Sequence, residues 1–302
     1  MVFNLPDGLN INNLVDDLKL LSWQASDILL NYSRNLNDKQ FKDNFIMNKK
    51  NNEPVTQADL EVNNLILKHF KNNYLNINWN ILSEERISTI SNNEITSDWQ
   101  WVLDPLDGTK DFIQGTGNFA MHLALNFKNK PYLGIVLIPK KDELWIANGQ
   151  RVWCEKRNGL NINPNSPSQK NIKDMIIVTS KNHRNKSLER LINKIGFKEV
   201  IEMGSIGCKI ASLIRGEADI YISLSFPDGS APKDWDFAAP EAVLSQAGGA
   251  ITYIDNKALI YNQSEFRQQG LIVASNNKMT HKTTCSVIKD IVMRNNIFPL
   301  YN

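Results

Sequence analysis

The length, composition and charge of the chain exclude several classes of protein. Its 302 residues are 42% hydrophobic, which is enough to bury the core of one large domain or of two medium ones. Charged residues make up 22% of the chain and the formal net charge is only +2, so neither a nucleic acid polymer nor a membrane surface is the expected partner.

The N-terminal half of the chain is predicted to form two helices followed by a sheet. Apolar residues recur at helical spacing over residues 11–30. The Thr-x-x-Asp spacing from Thr56 to Asp59 predicts that a second helix begins there and continues towards Phe70. Apolar runs separated by short turns then predict an antiparallel sheet backed by the two helices. The predicted strands cover residues 79–82, 99–103, 119–127, 132–138 and 143–147.

A segment rich in Asn, Pro, Ser and Gly at residues 158–170 is the strongest candidate for a linker. It divides the chain into two predicted α/β halves, residues 1–158 and 159–302. The last predicted helix should end at Gly248-Gly249, because glycine commonly follows the final helical turn. In the second half, predicted strands at 175–179, 220–223, 251–254 and 271–274 alternate with predicted helices at 187–195, 206–215 and 236–247.

Cysteine usage and the N-terminal sequence predict a cytoplasmic protein. Cys154, Cys208 and Cys285 are far apart in the chain and form no CxxC pair, which argues against a disulfide framework and against a thiolate metal site. The first residues show no basic segment followed by an apolar core, as a signal peptide would. No apolar run approaches the ~20 residues that a membrane span requires.

The segment from Asp104 to Thr109, Asp-Pro-Leu-Asp-Gly-Thr, carries the strongest chemical signal in the chain. Its two carboxylates, three residues apart at the end of an apolar strand, can project into one site, and such oxygen ligands suit Mg2+ or Mn2+. A tight turn at Gly108 would let backbone amides face an anion, and a short helix that begins at Thr109 would also favour phosphate. The alternative is an Asx-type turn without a catalytic role.

Three further acids stand near predicted element ends, although each has a structural explanation of its own. Glu84 follows a predicted strand, where adjacent acids are usually exposed to solvent. Asp59 is placed to support the start of its helix as the third helical residue, and Asp236 can serve as the N-cap of its own helix. These separate explanations do not account for their joint occurrence with the segment Asp104–Thr109.

Four segments of the chain, in this order, resemble the inositol monophosphatase superfamily. They are Glu53 to Asp59, Leu82 to Glu85, Trp101 to Phe112, and Trp235 to Ala239 with the following Ala247-Gly248-Gly249. The resemblance extends over residues 11–275, nearly the whole chain. It implies an α+β fold, the layered α-β-α-β-α sandwich of sugar phosphatases, and a Mg2+-dependent phosphatase that lithium inhibits. Proteins of this kind occur as monomers and as homodimers.

The resemblance also assigns roles to individual residues. The implied metal ligands, around two or three Mg2+ ions or Mn2+ in their place, are the side chains of Glu84, Asp104, Asp107 and Asp236 and the backbone carbonyl of Leu106. Asp59 would orient Thr109, and Thr109 together with Glu84 would activate the attacking water. The amides of Gly108 and Thr109 would hold the phosphate with the metals. Because such hydrolysis needs no histidine nucleophile, His122 is predicted to be structural.

Within the superfamily, the chain most resembles bacterial 3'(2'),5'-bisphosphate nucleotidases of the CysQ type. Residues 107–112, 179–183 and 203–209 carry this likeness, with one inserted residue in the last segment and Lys181 where an arginine is usual. The implied substrate is adenosine 3',5'-bisphosphate, whose second phosphate calls for cations outside the metal cluster. The implied substrate-side residues are Gly108, Thr109, Lys181, His183, Ser205, Lys209 and Asp236.

Three functions remain open from the sequence. The first is hydrolysis of adenosine 3',5'-bisphosphate to AMP and phosphate by a metal-activated water. The second is hydrolysis of inositol 1-phosphate or of a related sugar phosphate. The third is a non-catalytic module that binds a metal or a phosphorylated metabolite, which the presence of all five expected acids and Thr109 disfavours.

Overall fold

Two large β-sheets and three layers of helices make up the structure, a computed structural model that describes residues 5–36, 45–48, 54–89, 97–167, 169–182 and 184–299. Two residues of the sequence predictions, Glu53 and His183, lie outside these described residues. The helices are α1 Ile11–Asn35, α2 Gln57–Asn73, α3 Thr109–Gln114, α4 Lys186–Ile195, α5 Ile206–Ile214, α6 Asp234–Gln246 and α7 Lys278–Arg294.

The strands form a small antiparallel pair and two large sheets. The pair joins β1 Ile46–Asn48 to β2 Pro54–Thr56. The first large sheet has seven strands in chain order: β3 Asn80–Ser83, β4 Trp99–Asp107, β5 Ala120–Phe127, β6 Lys130–Ile138, β7 Glu143–Ala147, β8 Val152–Glu155 and β9 Asn161–Ile162. The second has the order β11-β10-β12-β14-β13, with β10 Ile176–Ser180, β11 Glu199–Met203, β12 Ile220–Ser225, β13 Ala250–Tyr253 and β14 Gly270–Ser275.

Helices α1 and α2 cover one face of the seven-stranded sheet. Helix α1 begins after Asn10, whose side chain accepts a hydrogen bond from the N–H of Asn12 at 2.8 Å. Helix α2 begins with the predicted capping box of Thr56 and Asp59, which satisfies backbone N–H groups that have no partner inside the helix. Both helices pack on apolar side chains of the sheet such as Trp101. The prediction of these two helices is confirmed.

Helices α5 and α6 lie between the two large sheets. Val102 and Ala124 from the opposite face of the seven-stranded sheet pack in this layer with Tyr221 from the five-stranded sheet. Gly134 on β6 permits close contact with α6, because a Cβ there would lie 2.7 Å from the carbonyl oxygen of Ala239. This layer joins the two halves of the chain through one apolar core.

Helices α4 and α7 cover the outer face of the five-stranded sheet, where Leu191 and Ile288 pack on Ile222. The order of the layers is therefore α-β-α-β-α, and the predicted layered α+β sandwich is confirmed. Among the residues that the structure describes, none of the helices combines the length and the apolar character that a membrane span requires.

Several features of the fold differ from the sequence predictions. Strand β3 pairs with β4 in parallel, so the prediction of an antiparallel sheet is wrong for this pair. Strands β1, β2, β8, β9 and β11 and helix α7 are absent from the predictions. Strand β11 is an edge strand with exposed Glu199 and Val200, so it lacks the apolar alternation of a half-buried strand. The division at residue 158 stays a prediction, although β9 continues the first sheet beyond it.

Candidate active site

A β-bulge at the end of β4 directs two aspartates towards the middle helical layer. Asp104 lies opposite His122 and Asp107 lies opposite Ala120 on β5, so β4 has one extra residue between the two aspartates. Residues three apart on a regular strand point to opposite faces, and the extra residue brings both carboxylates to the same side. Asp104 is 1% exposed and Asp107 is 9% exposed.

The first turn of α6 adds a third carboxylate to this site. Asp236 offers an oxygen within 4.8 Å of oxygens from Asp104 and Asp107. It is the third residue of α6, and its Oδ2 accepts a hydrogen bond from the backbone N–H of Lys233, the N-cap, at 2.5 Å. Asp236 is therefore not the N-cap, which corrects that explanation of its position. The structure brings these three predicted acids into one cluster, called here the aspartate cluster.

The aspartate cluster favours a bound cation, because its carboxylates are buried or partly buried and repel one another. Burial raises the pKa of Asp104 well above its usual range, and the charges of Glu84, Asp107 and Asp236 raise it further. Burial also raises the pKa of Asp236, with a further contribution from Asp107. A divalent cation removes this repulsion, and carboxylate oxygens are the ligands that Mg2+ prefers. The donor set fits such an ion.

Glu84 reaches the cluster because β3 and β4 are parallel neighbours. Ser83 at the end of β3 is paired with Leu103 on β4, so the next residues, Glu84 and Asp104, follow at the same level. Glu84 begins a 3-10 helix that ends at Thr89 and is partly buried. A hydrogen bond between the Glu84 and Asp104 side chains contributes to the raised pKa of Asp104. The role of Glu84 as a metal ligand stays a prediction.

Hydrogen bonds from the second half of the chain hold Asp107 in place. Its Oδ2 accepts from the Ser205 hydroxyl at 2.7 Å and from the backbone N–H of Gly207 at 3.1 Å. Ser205 has a φ of +30°, which is uncommon for a residue other than glycine. The structure thus places the Ser205 hydroxyl on a carboxylate of the aspartate cluster, and its predicted contact with the substrate stays a prediction.

His122 lies against the aspartate cluster on its buried side. Its side chain is 0% exposed. Its Nε2 lies 3.3 Å from Asp107 Oδ2, and its Nδ1 lies 3.2 Å from the carbonyl oxygen of Trp235 in the first turn of α6. Gly207 leaves room for the ring, because a Cβ there would lie 2.2 Å from Nε2. The position of His122 opposite Asp104 depends on the pairing of β5 with β4, which the sequence pattern does not show.

Thr109 and Asp59 border the cluster on the side of α2. The Thr109 hydroxyl lies 3.1 Å from the Leu106 carbonyl oxygen and 3.4 Å from Asp59 Oδ1, so it can donate to either. Thr56 donates to Asp59 Oδ2 from its backbone N–H and from its hydroxyl. Burial raises the pKa of Asp59 to about 7, against these hydrogen bonds and with help from the Glu84 charge. That Asp59 orients Thr109 during catalysis stays a prediction.

The turn after Asp107 requires glycine. Gly108 has a φ of +88°, in the left-handed region, and a Cβ there would also lie 2.9 Å from the carbonyl oxygen of Asn118. Helix α3 begins at the next residue, Thr109, so the short helix considered there in the sequence analysis is present. The assignment of the Gly108 and Thr109 amides to phosphate binding stays a prediction.

Two lysines predicted to meet the substrate have different environments. Lys209 is 2% exposed, and its Nζ donates to the carbonyl oxygens of Gly204 at 2.7 Å and Ser205 at 3.2 Å. Burial lowers the pKa of Lys209. Lys181 is exposed, and its Nζ donates to Oε1 of Gln114 at the end of α3, at 3.3 Å. Contact of either lysine with a substrate stays a prediction.

A comparison with known proteins gives the family to which this site belongs. The model of the family described as "Inositol monophosphatase family" matches residues 14–293. The chain belongs to the inositol monophosphatase family. Enzymes of this family are metal-dependent, and they act on small phosphate esters. The chain is therefore a phosphatase, with a cluster of acids that is able to hold metal.

Curated relatives agree with this membership, and a solved structure shares the fold. The 3'(2'),5'-bisphosphate nucleotidase CysQ of Escherichia coli strain K12 is 29% identical over 225 residues, which are 73% of this chain and 84% of the relative. The CysQ nucleotidase of Buchnera aphidicola is 31% identical over 208 residues, 67% of this chain and 72% of the relative. A dual specific IMPase/NADP phosphatase bound with D-inositol-1-phosphate has a TM-score of 0.72 at 19% identity, over 97% of this chain and 100% of that one.

Proposed function

We propose that the protein is a Mg2+-dependent phosphomonoesterase that hydrolyses adenosine 3',5'-bisphosphate to AMP and phosphate. The observation that carries the proposal is the aspartate cluster, whose three carboxylates offer oxygens within 4.8 Å of one another beside the Thr109 turn. The CysQ relatives, which are named as 3'(2'),5'-bisphosphate nucleotidases, support the choice of substrate. The three cysteines are buried and free, which supports a reducing compartment such as the cytoplasm.

The proposed metal site uses acids from three separate elements. Its ligands are the side chains of Glu84, Asp104, Asp107 and Asp236 and the backbone carbonyl of Leu106. Two or three Mg2+ ions bound there, or Mn2+ in their place, would lower the pKa of water and neutralise charge on the phosphate. The ligands are oriented in advance, since Ser205 and Gly207 hold Asp107 and the Lys233 amide holds Asp236.

Thr109 and Glu84 are the proposed partners of the attacking water. The Thr109 hydroxyl donates its proton towards Asp59 Oδ1 or the Leu106 carbonyl oxygen. Its oxygen then accepts a hydrogen bond from the water and orients it, while the Glu84 carboxylate takes the proton that the water loses. Asp59 acts through Thr109, because its Oδ2 is held by Thr56 and its Oδ1 faces the Thr109 hydroxyl.

The proposed binding groups for the substrate come from the turn at Gly108, from the chain segments after β10 and β11, and from α6. The Gly108 and Thr109 amides would hold the phosphate that is cleaved. The remaining substrate would be bordered by Lys181, His183, Ser205, Lys209 and Asp236. A hydrogen bond to a charged group contributes roughly 1.5–3 kcal/mol. A second phosphate bound in this way should therefore raise kcat/KM by about 10- to 100-fold.

Hydrolysis of inositol 1-phosphate is the second candidate function. The observation that favours it is the structural neighbour bound with D-inositol-1-phosphate, whose fold matches 97% of this chain. At 19% identity this neighbour supports the fold, whereas the relatives at 29% and 31% identity are nucleotidases. We therefore place adenosine 3',5'-bisphosphate first.

Phosphate release from the two substrates separates these candidates. At equal enzyme and saturating Mg2+, we expect kcat/KM for adenosine 3',5'-bisphosphate to exceed that for inositol 1-phosphate by about 10-fold or more. Lithium should inhibit the reaction, and a reaction without added metal provides the blank. Faster or equal turnover of inositol 1-phosphate would refute the nucleotidase assignment.

A further inference from the structure

The turn at Gly108, where phosphate binding is proposed and which is called here the phosphate turn, precedes helix α3. Asp111 connects this helix to the second half of the protein. Its side chain is 1% exposed. Its Oδ1 accepts a hydrogen bond from the Thr116 hydroxyl at 2.7 Å, and its Oδ2 accepts one from Nδ2 of Asn182 at 2.6 Å. Both carboxylate oxygens therefore have a protein partner, which compensates the loss of water on burial.

Two further contacts join the same surfaces. A Cβ at Gly204 would lie 2.2 Å from Cγ of Asp111, so the backbone that follows β11 packs directly on this carboxyl group. Lys181 donates from Nζ to Oε1 of Gln114, the last residue of α3, at 3.3 Å. Helix α3 is thus attached to the segment after β10 and to the segment after β11.

These two segments follow neighbouring parallel strands. Ser180, the last residue of β10, is paired with Met203, the last residue of β11, and the backbone N–H of Lys181 donates to the Met203 carbonyl oxygen at 3.3 Å. Ligands of α/β sheets bind beyond the carboxyl ends of parallel strands. A Cβ at Gly108 would lie 3.1 Å from the backbone nitrogen of Ser205, so these strand ends border the phosphate turn.

We propose that Asp111 is a positioning residue that fixes the substrate wall, defined as Lys181, Asn182 and Gly204, beside the phosphate turn. The proposal rests on the proposed function, because it concerns the part of the substrate that remains after the phosphate leaves. Without the Asp111 carboxylate, Asn182 loses its acceptor and the wall can move relative to α3. A mobile wall weakens binding of that part of the substrate, while a small ester that does not reach it is cleaved as before.

The test compares Asp111→Ala, Asp111→Asn and Asn182→Ala in the full chain. Alanine at position 111 removes the hydrogen bonds of the carboxylate with Thr116 and with Asn182. Asparagine keeps both, because its amide oxygen accepts from Asn182 and its amide group donates to the Thr116 hydroxyl. The measurements are KM and kcat for adenosine 3',5'-bisphosphate, kcat for p-nitrophenyl phosphate, whose leaving group carries no second phosphate, and the rise in Tm on adding Mg2+.

We expect Asp111→Ala and Asn182→Ala to raise KM for the bisphosphate by about 10-fold, as the loss of a buried hydrogen bond does. The kcat for p-nitrophenyl phosphate should stay within about twofold, and the Mg2+-induced rise in Tm should be unchanged, because neither residue belongs to the aspartate cluster. Asp111→Asn should behave like the wild type. The double alanine variant should be no worse than Asp111→Ala, since that substitution already removes the hydrogen bond between Asn182 and Asp111.

Two results would overturn the proposal. Equal losses of activity on adenosine 3',5'-bisphosphate and on p-nitrophenyl phosphate, together with a smaller Mg2+-induced rise in Tm, would show that Asp111 supports the metal site as a whole. An Asp111→Asn variant as impaired as Asp111→Ala would show that the charge matters and the contacts do not. If Asp111→Ala does not fold, Asn182→Ala at its partly exposed position provides the same comparison. A wild type that cleaves only p-nitrophenyl phosphate and inositol 1-phosphate would refute the proposed function, and KM would then be compared on inositol 1-phosphate.

Discussion

Replacing Asp107 with asparagine is expected to lower phosphate release by at least about 100-fold. Loss of one carboxylate from the metal site removes several kcal/mol of charge stabilisation in the transition state, and about 1.36 kcal/mol corresponds to a factor of ten. The fold should be retained, because the asparagine oxygen can still accept from Ser205 and Gly207. The measurement is the initial rate at saturating Mg2+, with circular dichroism to check the fold.

The same substitution should not destabilise the metal-free protein, although it lowers activity. Besides burial, the charge of Asp107 raises the pKa of Asp104 and of Asp236. Removing that charge should leave Tm without metal unchanged or higher, while the rise in Tm on adding Mg2+ is lost. Asp290→Asn on α7, where the side chain is 66% exposed, is the control and should change neither quantity. Activity of Asp107→Asn equal to that of an active wild type would contradict the proposed site, whereas activity no higher than the blank in both proteins would favour a non-catalytic binding module.

The stabilisation that Mg2+ confers should increase strongly with pH. Asp59 has a pKa of about 7 in the folded protein against an ordinary value of 3.8, and burial raises the pKa of Asp104 and Asp236 as well. Without metal, the folded state holds protons that the unfolded chain has released. These groups therefore stabilise the fold at low pH, and the contribution is lost as the pH rises through the folded pKa. For Asp59 alone, the free energy of unfolding of the metal-free protein should fall by about 4 kcal/mol as the pH rises from below 3.8 to above about 7.

The measurement is Tm with Mg2+ and with EDTA at each pH. Because metal binding requires deprotonated carboxylates, the difference in Tm should be small near pH ~5 and several degrees larger near pH ~8. Because Tm with Mg2+ and Tm with EDTA are compared at the same pH, groups that titrate elsewhere contribute equally to both values. His281, whose pKa burial lowers to about 4, is one such group. Asp59→Asn should flatten the pH dependence of the metal-free protein. An Mg2+ effect of equal size at both pH values would argue against buried acids as the metal ligands.

The elements that carry the site could be predicted because neighbours in the chain determine them. The spacing of apolar residues predicts α1, and the Thr56–Asp59 spacing predicts the start of α2. The position of Gly108 predicts the turn, since its φ of +88° is one that glycine adopts readily. The family resemblance supplied the layered fold and the set of acids, which local patterns do not connect to one another.

The remaining features depend on contacts between distant segments. The bulge that turns Asp104 and Asp107 to one side follows from their pairing with β5. The contact of His122 with the cluster depends on α6 lying against β5, and on the absence of a side chain at Gly207. Lys209 has the sequence context of an exposed lysine, yet it is 2% exposed and its Nζ donates hydrogen bonds to carbonyl oxygens after β11.

The reaction proposed for this protein depends on Asp104, Asp107 and Asp236 holding divalent metal where phosphate is cleaved. The direct test is a crystal grown with Mn2+ at a concentration that supports phosphate release, with data collected at the manganese absorption edge. We expect anomalous peaks at the aspartate cluster, about 2.0–2.4 Å from its carboxylate oxygens. Anomalous density elsewhere, in a protein that Mn2+ activates, would contradict this metal site and the hydrolysis proposed at it.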